Sequence, residues 1–288
     1  TGITAATYAN LGEVNNKGFD AMMEFKKTFD NGLFLSAYAN YTYAHNVIIE
    51  DDSPQAKWSY QNTRGTSIGQ PLGYVAIGFF EDEDDIKNSP EQKLSKTVYP
   101  GDIKYKDKNR DGVIDAYDRE YIGYGRMPEV MYGFGFTIAW GQWDASVGFT
   151  GAAKANMFLN SEDMWPYSLE YPRYNISREY YDNRWIPGAD NTNAKYPAVI
   201  DGNNPNNYVV STLYMRDASY LKLKNAEIGY KLNKRASKAL GIAGARVFLN
   251  GINLLCFDKL GFVDPEVDSG TGNYPQQRTI NIGCQVDF

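Results

Sequence analysis

Residues 107–118 place Asp107, Asn109, Asp111, the carbonyl of Val113, Asp115 and Asp118 at positions 1, 3, 5, 7, 9 and 12 of a twelve-residue loop, with Gly112 at position 6. That is the oxygen spacing by which such a loop surrounds a hard cation, which takes roughly six to eight oxygens at about 2.3–2.6 Å. Asp, Asn and Gly also stabilise tight turns without any ion. Every side-chain position and the turn glycine match here, so the expectation is a bound Ca2+. Asp118 stands where helix-flanked sensor loops carry Glu. Its shorter arm points to a structural ion rather than a regulatory switch.

No other pattern in the chain suggests chemistry as specific. The sole histidine is His45, and no nucleophile elbow, zinc motif, phosphate loop or dinucleotide fingerprint occurs. The expectation is that the chain is not an enzyme, with His45 sitting where a strand leaves a membrane. Trp165, Tyr167, Tyr171, Tyr174, Tyr180, Tyr181 and Trp185 crowd one connection. Such rings stack on sugars or peptide side chains, or pack against neighbouring loops or a covering protein. Trp165, Tyr167, Tyr171, Tyr174 and Trp185 are therefore candidate ligand or lid contacts. The acidic run 81–85 lacks ligand spacing and reads as a solvated loop, with a second ion site as the sharper alternative.

The elements that must carry these residues are strands. The 288 residues include 23 Tyr, 14 Phe and 5 Trp, yet no apolar run approaches the roughly 20 residues of a membrane helix. Strands that span a membrane alternate apolar with polar residues, and their hydropathy averages away. The net charge of −6 gives no support for nucleic-acid binding. The chain opens on Thr1 with neither Met nor apolar leader, which reads as a piece of a longer polypeptide.

Alternation of period two is expected over 17–29, 33–44, 129–140, 143–155, 217–232, 246–257 and 279–288. In 130–140 the large residues are Val130, Tyr132, Phe134, Phe136, Ile138 and Trp140, separated mostly by small ones. The phase slips between Leu223 and Ala226, where a bulge is expected. Cys256 and Cys284, on the last two strands, lie about 20 Å apart by strand arithmetic, beyond the disulfide limit of about 7 Å. Both are expected to be free thiols.

The connections alternate between short and long. Those at 30–32, 141–142 and 233–244 are short, and those at about 44–128, 156–216 and 258–278 are long. An up-and-down antiparallel sheet puts alternate connections at opposite ends, so all the long loops share one end. Short turns at one end and long loops at the other are the layout of outer-membrane barrels. The fold class is therefore all-β, an antiparallel up-and-down transmembrane β-barrel, with the cation loop inside a long external loop. Aromatic Tyr41, Tyr43, Trp140 and Trp143 would form the interfacial girdles. A soluble sandwich, acting as a secreted calcium-stabilised glycan-binding module, is the alternative. A dockerin is excluded because it needs two calcium repeats.

Several segments in order carry a resemblance: 16–20, 69–74, 100–107 leading into the cation loop, 118–123, 217–225 with Gly229 and Tyr230, 250–254, Asp264-Pro265-Glu266, Tyr274-Pro275, and a closing strand that ends on Phe288. Together they resemble the C-terminal third of SusC/RagA-like TonB-dependent transporters, the nutrient-uptake barrels of Bacteroidetes outer membranes. The resemblance covers essentially the whole chain. It implies a barrel of 22 strands, of which these are about the last seven, with the plug and the TonB-contacting region upstream. It further implies uptake of oligosaccharides or peptides beneath a SusD-like lipoprotein lid. Seven strands cannot close, because strand number, tilt and shear are linked, so the rest of the barrel is an expected partner.

Overall fold

The computed structural model describes residues 10–159, 164–165, 175–200, 204–267 and 276–288. Seven strands form one antiparallel sheet in chain order: β1 (Glu13–Thr28), β2 (Phe34–Glu50), β3 (Val130–Trp140), β4 (Trp143–Ala153), β5 (Tyr220–Lys231), β6 (Gly244–Asp258) and β7 (Thr279–Asp287). Each strand pairs with its chain neighbours, so connections 51–129, 154–219 and 259–278 emerge at one end. The first two strands run further toward that end than alternation alone indicates, β2 reaching Glu50. The expected bulge falls at Lys224, which is skipped in the pairing of β5 with β4 and with β6.

Register fixes the two faces. Phe25, Ala37, Phe136, Val147 and Ala226 follow one another across neighbouring strands. So do Leu35, Ile138, Ala145, Ile228, Leu249 and Ile282. This face is apolar and uncovered, with Ile282 82% exposed and Trp140 64% exposed. The opposite face pairs Asn40 with Gly133 and Tyr38 with Gly135, then carries Gly148, Asn225, Glu227 and Arg246. A sandwich would pack a second sheet about 10 Å away against the greasy face. No second sheet covers it among the described residues, which overturns the sandwich alternative. A sheet greasy outside, polar inside and open at both edges is part of a barrel wall.

Glycines on the inner face make room for the side chains of the next strand. The Tyr38 ring lies over Gly135, with its hydroxyl near Gly148, and the Phe248 ring lies over Gly283. A Cβ at Gly135 or Gly283 would collide with those rings. The small residues between the large ones in β3 and β4 are thus seats for inward aromatic rings.

The buried core lies in the loops rather than in the sheet. Tyr74, Ile103, Tyr105, Ile114, Met157, Leu159, Tyr180, Tyr196 and Tyr214 cluster there. Short ladders stitch this layer together: Ala76–Phe79 with Ile103–Tyr105, Glu91–Gln92 in parallel with Val113–Ile114, and Asn156–Phe158 with Met215–Asp217. The acidic run is not a plain loop. Asp82 caps the short helix α1 (Glu83–Lys87) by accepting from Asp85 N, and Asp85 pairs with Lys104 at 2.7 Å. Two further short helices, α2 (Arg178–Asn183) and α3 (Lys234–Ala239), follow, and among the described residues no helix is long and apolar enough to cross a membrane.

Candidate functional site

The cation loop folds on its own oxygens. Asp107 accepts from Arg110 N at 2.6 Å and from Gly112 N at 2.9 Å. Asn109 Oδ1 accepts from Asp111 N at 3.0 Å, and Asp111 Oδ1 accepts from Val113 N at 3.0 Å. Two residues take left-handed backbone, Arg110 at φ 63° and Gly112 at φ 84°, and the space around Gly112 is open. Asp115 caps the turn Ala116–Asp118.

Asp118, only 1% exposed, ties the loop's two ends together, accepting from Lys108 N and Asp115 N at 2.8 Å each. The donor set, four carboxylates, one amide and a carbonyl, fits a hard cation and no softer one. The carboxylates are turned to backbone N–H groups, however, and no three acidic, histidine or cysteine side chains converge on one point among the described residues. Gln61 Nε2 donates to Ala116 O at 2.8 Å and Tyr60 OH donates to Tyr117 O at 2.7 Å, fastening the loop to residues 59–61. Burial, then the charges of Asp118, Glu120, Asp107 and Asp111, push the Tyr60 hydroxyl above its usual range.

The loop also connects inward. Val113–Ile114 pairs with Glu91–Gln92, and the Gln92 side chain is the hub of a buried polar network. Gln92 Nε2 donates to Ile103 O at 2.8 Å and to Asn206 Oδ1 at 2.6 Å, while its Oε1 accepts from Tyr105 N at 2.7 Å. Asp102 accepts from Tyr99 N at 2.9 Å and from Asn204 and Asn207 Nδ2 at 2.8 Å each. Burial drives the Asp102 carboxyl above the ordinary value, against the downward pull of those three donors. This network joins two connections that are far apart in sequence. Sequence reasoning missed it, because isolated Asn and Gln residues in loops carry no periodic signal.

The candidate aromatic contacts divide. Trp165 and Trp185, each 8% exposed, are built into the layer, Trp185 with one edge on the wall of a surface groove. Trp165 sits edge-on to Tyr214 at 5.7 Å, and the Trp185 ring packs against Gly101. Trp165 is corrected from a ligand or lid contact to core, for a physical reason: large rings in a long connection are what its layer buries. Tyr167, Tyr171 and Tyr174 lie outside the described residues. Among the described rings of this group the exposed one is Tyr181, at 53%, with the Arg184 guanidinium 3.8 Å from its centroid. With Tyr99, Ile176, Ile186 and Val199 it lines a surface groove of about 480 Å3.

A larger recess of about 970 Å3 opens where the inner wall meets the loops, lined by Asn40, Thr42, Thr150, Asn156, Lys224 and Glu266 among others. Behind its wall Lys222, its side chain 3% exposed, binds Asp264 at 3.0 Å and Glu266 at 2.7 Å. Lys224 Nζ reaches Glu266 at 3.1 Å and Gln276 at 3.2 Å, and Tyr220 OH donates to Glu266 at 3.1 Å. Burial works against ionisation of Asp264 and Glu266, yet their lysine partners and, for Asp264, backbone N–H groups outweigh it, and both carboxyls fall below the usual range. The signal was visible in the sequence only as Asp264-Pro265-Glu266, without its basic partners on β5.

Fold and inner wall together define this chain as part of an outer-membrane-type β-barrel with a folded loop layer at one end. No family model matches the chain. It is 26% identical to TonB-dependent receptor P3 of Formosa agariphila over 97% of its length, and 23% identical to TonB-dependent receptor SusC of Bacteroides thetaiotaomicron over 100%. These alignments cover 29% and 28% of the two relatives, so the chain spans less than a third of their length. Its fold matches a chain of the RagAB peptide transporter with TM-score 0.72 at 19% identity, covering 98% of this chain and 30% of that one. Along nearly its whole length the chain is thus similar to one portion of TonB-dependent receptors of the SusC type, and it shares the fold of the matching portion of a RagAB chain. The named relatives are receptors and transporters, in keeping with a chain that is not an enzyme.

Proposed function

We propose that this chain forms the last seven strands of an outer-membrane barrel that imports oligosaccharides or peptides in a TonB-dependent manner. The observation that carries this is the seven-stranded sheet, apolar outside and polar inside, whose long connections fold into one layer with its own core at one end. Likeness to TonB-dependent receptors along nearly the whole chain supports the same reading. The plug, the TonB-contacting segment and the remaining strands belong to other parts of the protein.

The layer has the makings of a platform for a SusD-like lipoprotein, and the groove beside Tyr181 supplies exposed apolar and aromatic surface of the kind interfaces use. The test is to purify the full-length transporter from outer membranes with a tag. A SusD-like lipoprotein that co-purifies, and loss of growth on one class of oligosaccharide or peptide after deletion, are the expected results. Recovery of the full-length protein in the soluble fraction would refute the reading.

A structural Ca2+ in loop 107–118 is part of this proposal. Asp107, Asn109, Asp111, the Val113 carbonyl, Asp115 and Asp118 would hold it, and an external loop meets calcium concentrations that fill even a modest site. The ion would hold together carboxylates that otherwise repel, and so brace the loop. Chelation is expected to lower the melting temperature of the intact transporter and to have no further effect on Asp107→Ala with Asp111→Ala. An unchanged melting temperature with chelator on the wild type would remove the ion from the account.

A further inference from the structure

The apolar outer face ends abruptly in a group of ionisable side chains that the import reading does not use. Outward positions on β2 run Leu35, Ala37, Ala39, Tyr41 and Tyr43, and the next is His45. On β1 they run Phe25, Met23, Ala21 and Phe19, and the next is Lys17, paired directly with His45. At the same height on the other side stand Glu129, just before β3, and Lys154, just after β4. Between Leu35 and His45 the strand rises about 33 Å, which at a tilt of about 40° is the roughly 25 Å height of a barrel's apolar band. These groups therefore stand at headgroup depth, on the side of the long loops.

Their geometry is built rather than scattered. The Glu129 carboxylate faces His45 Nδ1 at 2.6 Å with one oxygen and Lys154 Nζ at 3.0 Å with the other. Lys154 is held at φ 52°, with its ammonium 5.1 Å from the centroid of the Tyr43 ring. Lys17 forms no ion pair among the described residues, so the group of two lysines and one carboxylate is net positive before His45 is counted. His45 and Lys154 keep 41% and 45% of their side chains open to the outside. Directly below, the Phe19 ring stacks on Tyr41 at 5.5 Å and leans on Tyr43 at 6.2 Å.

We infer that Lys17, His45 and Lys154 bind the phosphate of an outer-leaflet lipid whose acyl chains lie on Phe19, Tyr41 and Tyr43. A compact phosphate accepts several N–H bonds at once, which suits donors set at one height, Lys17 beside His45 in register and Lys154 joined to His45 through Glu129. The aromatic platform immediately beneath selects an amphipathic ligand over a free anion. A basic cluster bordering the hydrocarbon is the arrangement that recognises anionic headgroups. This inference rests on the outer-membrane reading and adds a resident lipid to it.

The test uses the full-length transporter in detergent, titrated with monophosphoryl lipid A and followed by native mass spectrometry. The same glycolipid after phosphatase treatment, and inorganic phosphate alone, serve as comparisons. Wild type is expected to retain the phosphorylated lipid and to shed the other two. Lys17→Gln and Lys154→Gln should each weaken retention about fivefold, the effect of one lysine near an anionic headgroup. Lys17→Arg should restore it.

Equal retention of phosphorylated and dephosphorylated lipid, retention of inorganic phosphate as tight as of the lipid, or a double Gln variant that binds like wild type would each overturn the inference. Because Lys17 makes no ion pair among the described residues, Lys17→Gln is expected to leave the barrel intact, which its heat-modifiable gel mobility verifies. Loss of lipid binding with mobility unchanged separates failure of this site from failure of the barrel reading.

Discussion

Gln92 and Asn206, 114 positions apart, meet at 2.6 Å inside the loop layer, the Gln92 amide donating to the Asn206 carbonyl oxygen. That contact joins the connection holding the cation loop to the connection between β4 and β5. It does so through groups with no water to fall back on, since Gln92 and Asn206 are both buried. The two long loops are one folded unit because such groups must be satisfied together.

Gln92→Ala should therefore loosen both connections at once. It strands Tyr105 N and Asn206 Oδ1, a loss of about 1–3 kcal/mol. Hydrogen exchange on the full-length transporter is expected to speed up at 103–105 and 206–207 while the sheet amides stay protected. Faster exchange confined to 91–93 would show that the two loops are not coupled.

Asp102 gives the layer a pH dependence of definite sign. Burial raises its folded-state pKa above the ordinary 3.8, so the folded form holds its proton more tightly than the unfolded one. Stability from this group is complete below the ordinary value and falls as pH rises through the raised one. Exchange of amides 99–105 should accelerate over that window, and Asp102→Asn should flatten the slope. A layer that tightens as pH rises through the window would contradict the assignment.

Gly135 is a seat for the Tyr38 ring. Gly135→Ala puts a methyl into that ring, and overpacking of this kind costs about 1–3 kcal/mol. Lower yield of folded barrel is expected, with recovery in the double variant Gly135→Ala, Tyr38→Ala. If the double variant folds worse than Gly135→Ala alone, the ring is not the obstacle.

Lys222 anchors connection 259–278 to the wall. Lys222→Met leaves Asp264 and Glu266 facing each other beside a greasy side chain, and breaking a buried pair of this kind costs about 3–5 kcal/mol. Limited proteolysis of the intact transporter should cut near 264–267 in the variant before it cuts wild type. Identical digestion patterns would mean that Lys224 alone holds the loop.

The sequence by itself determined what depends on local spacing. Alternation of period two fixed the strands, because successive side chains point to opposite faces and each face meets a different solvent. Short and long connections fixed the common end of the loops. Phase slip near Lys224 marked the bulge, and the Asp and Asn spacing marked the loop that Asp118 closes.

Only the tertiary structure decided what depends on residues far apart in the chain. Trp165 looks the same in the sequence as a ring offered to a ligand; burial against Tyr214 made it core. Lys222 carries no mark of its partners Asp264 and Glu266, more than forty residues away, and His45 none of Glu129, 84 residues on. Such groups are brought together by strand register and by the demand that buried polar atoms be paired, and neither acts within a short window of sequence.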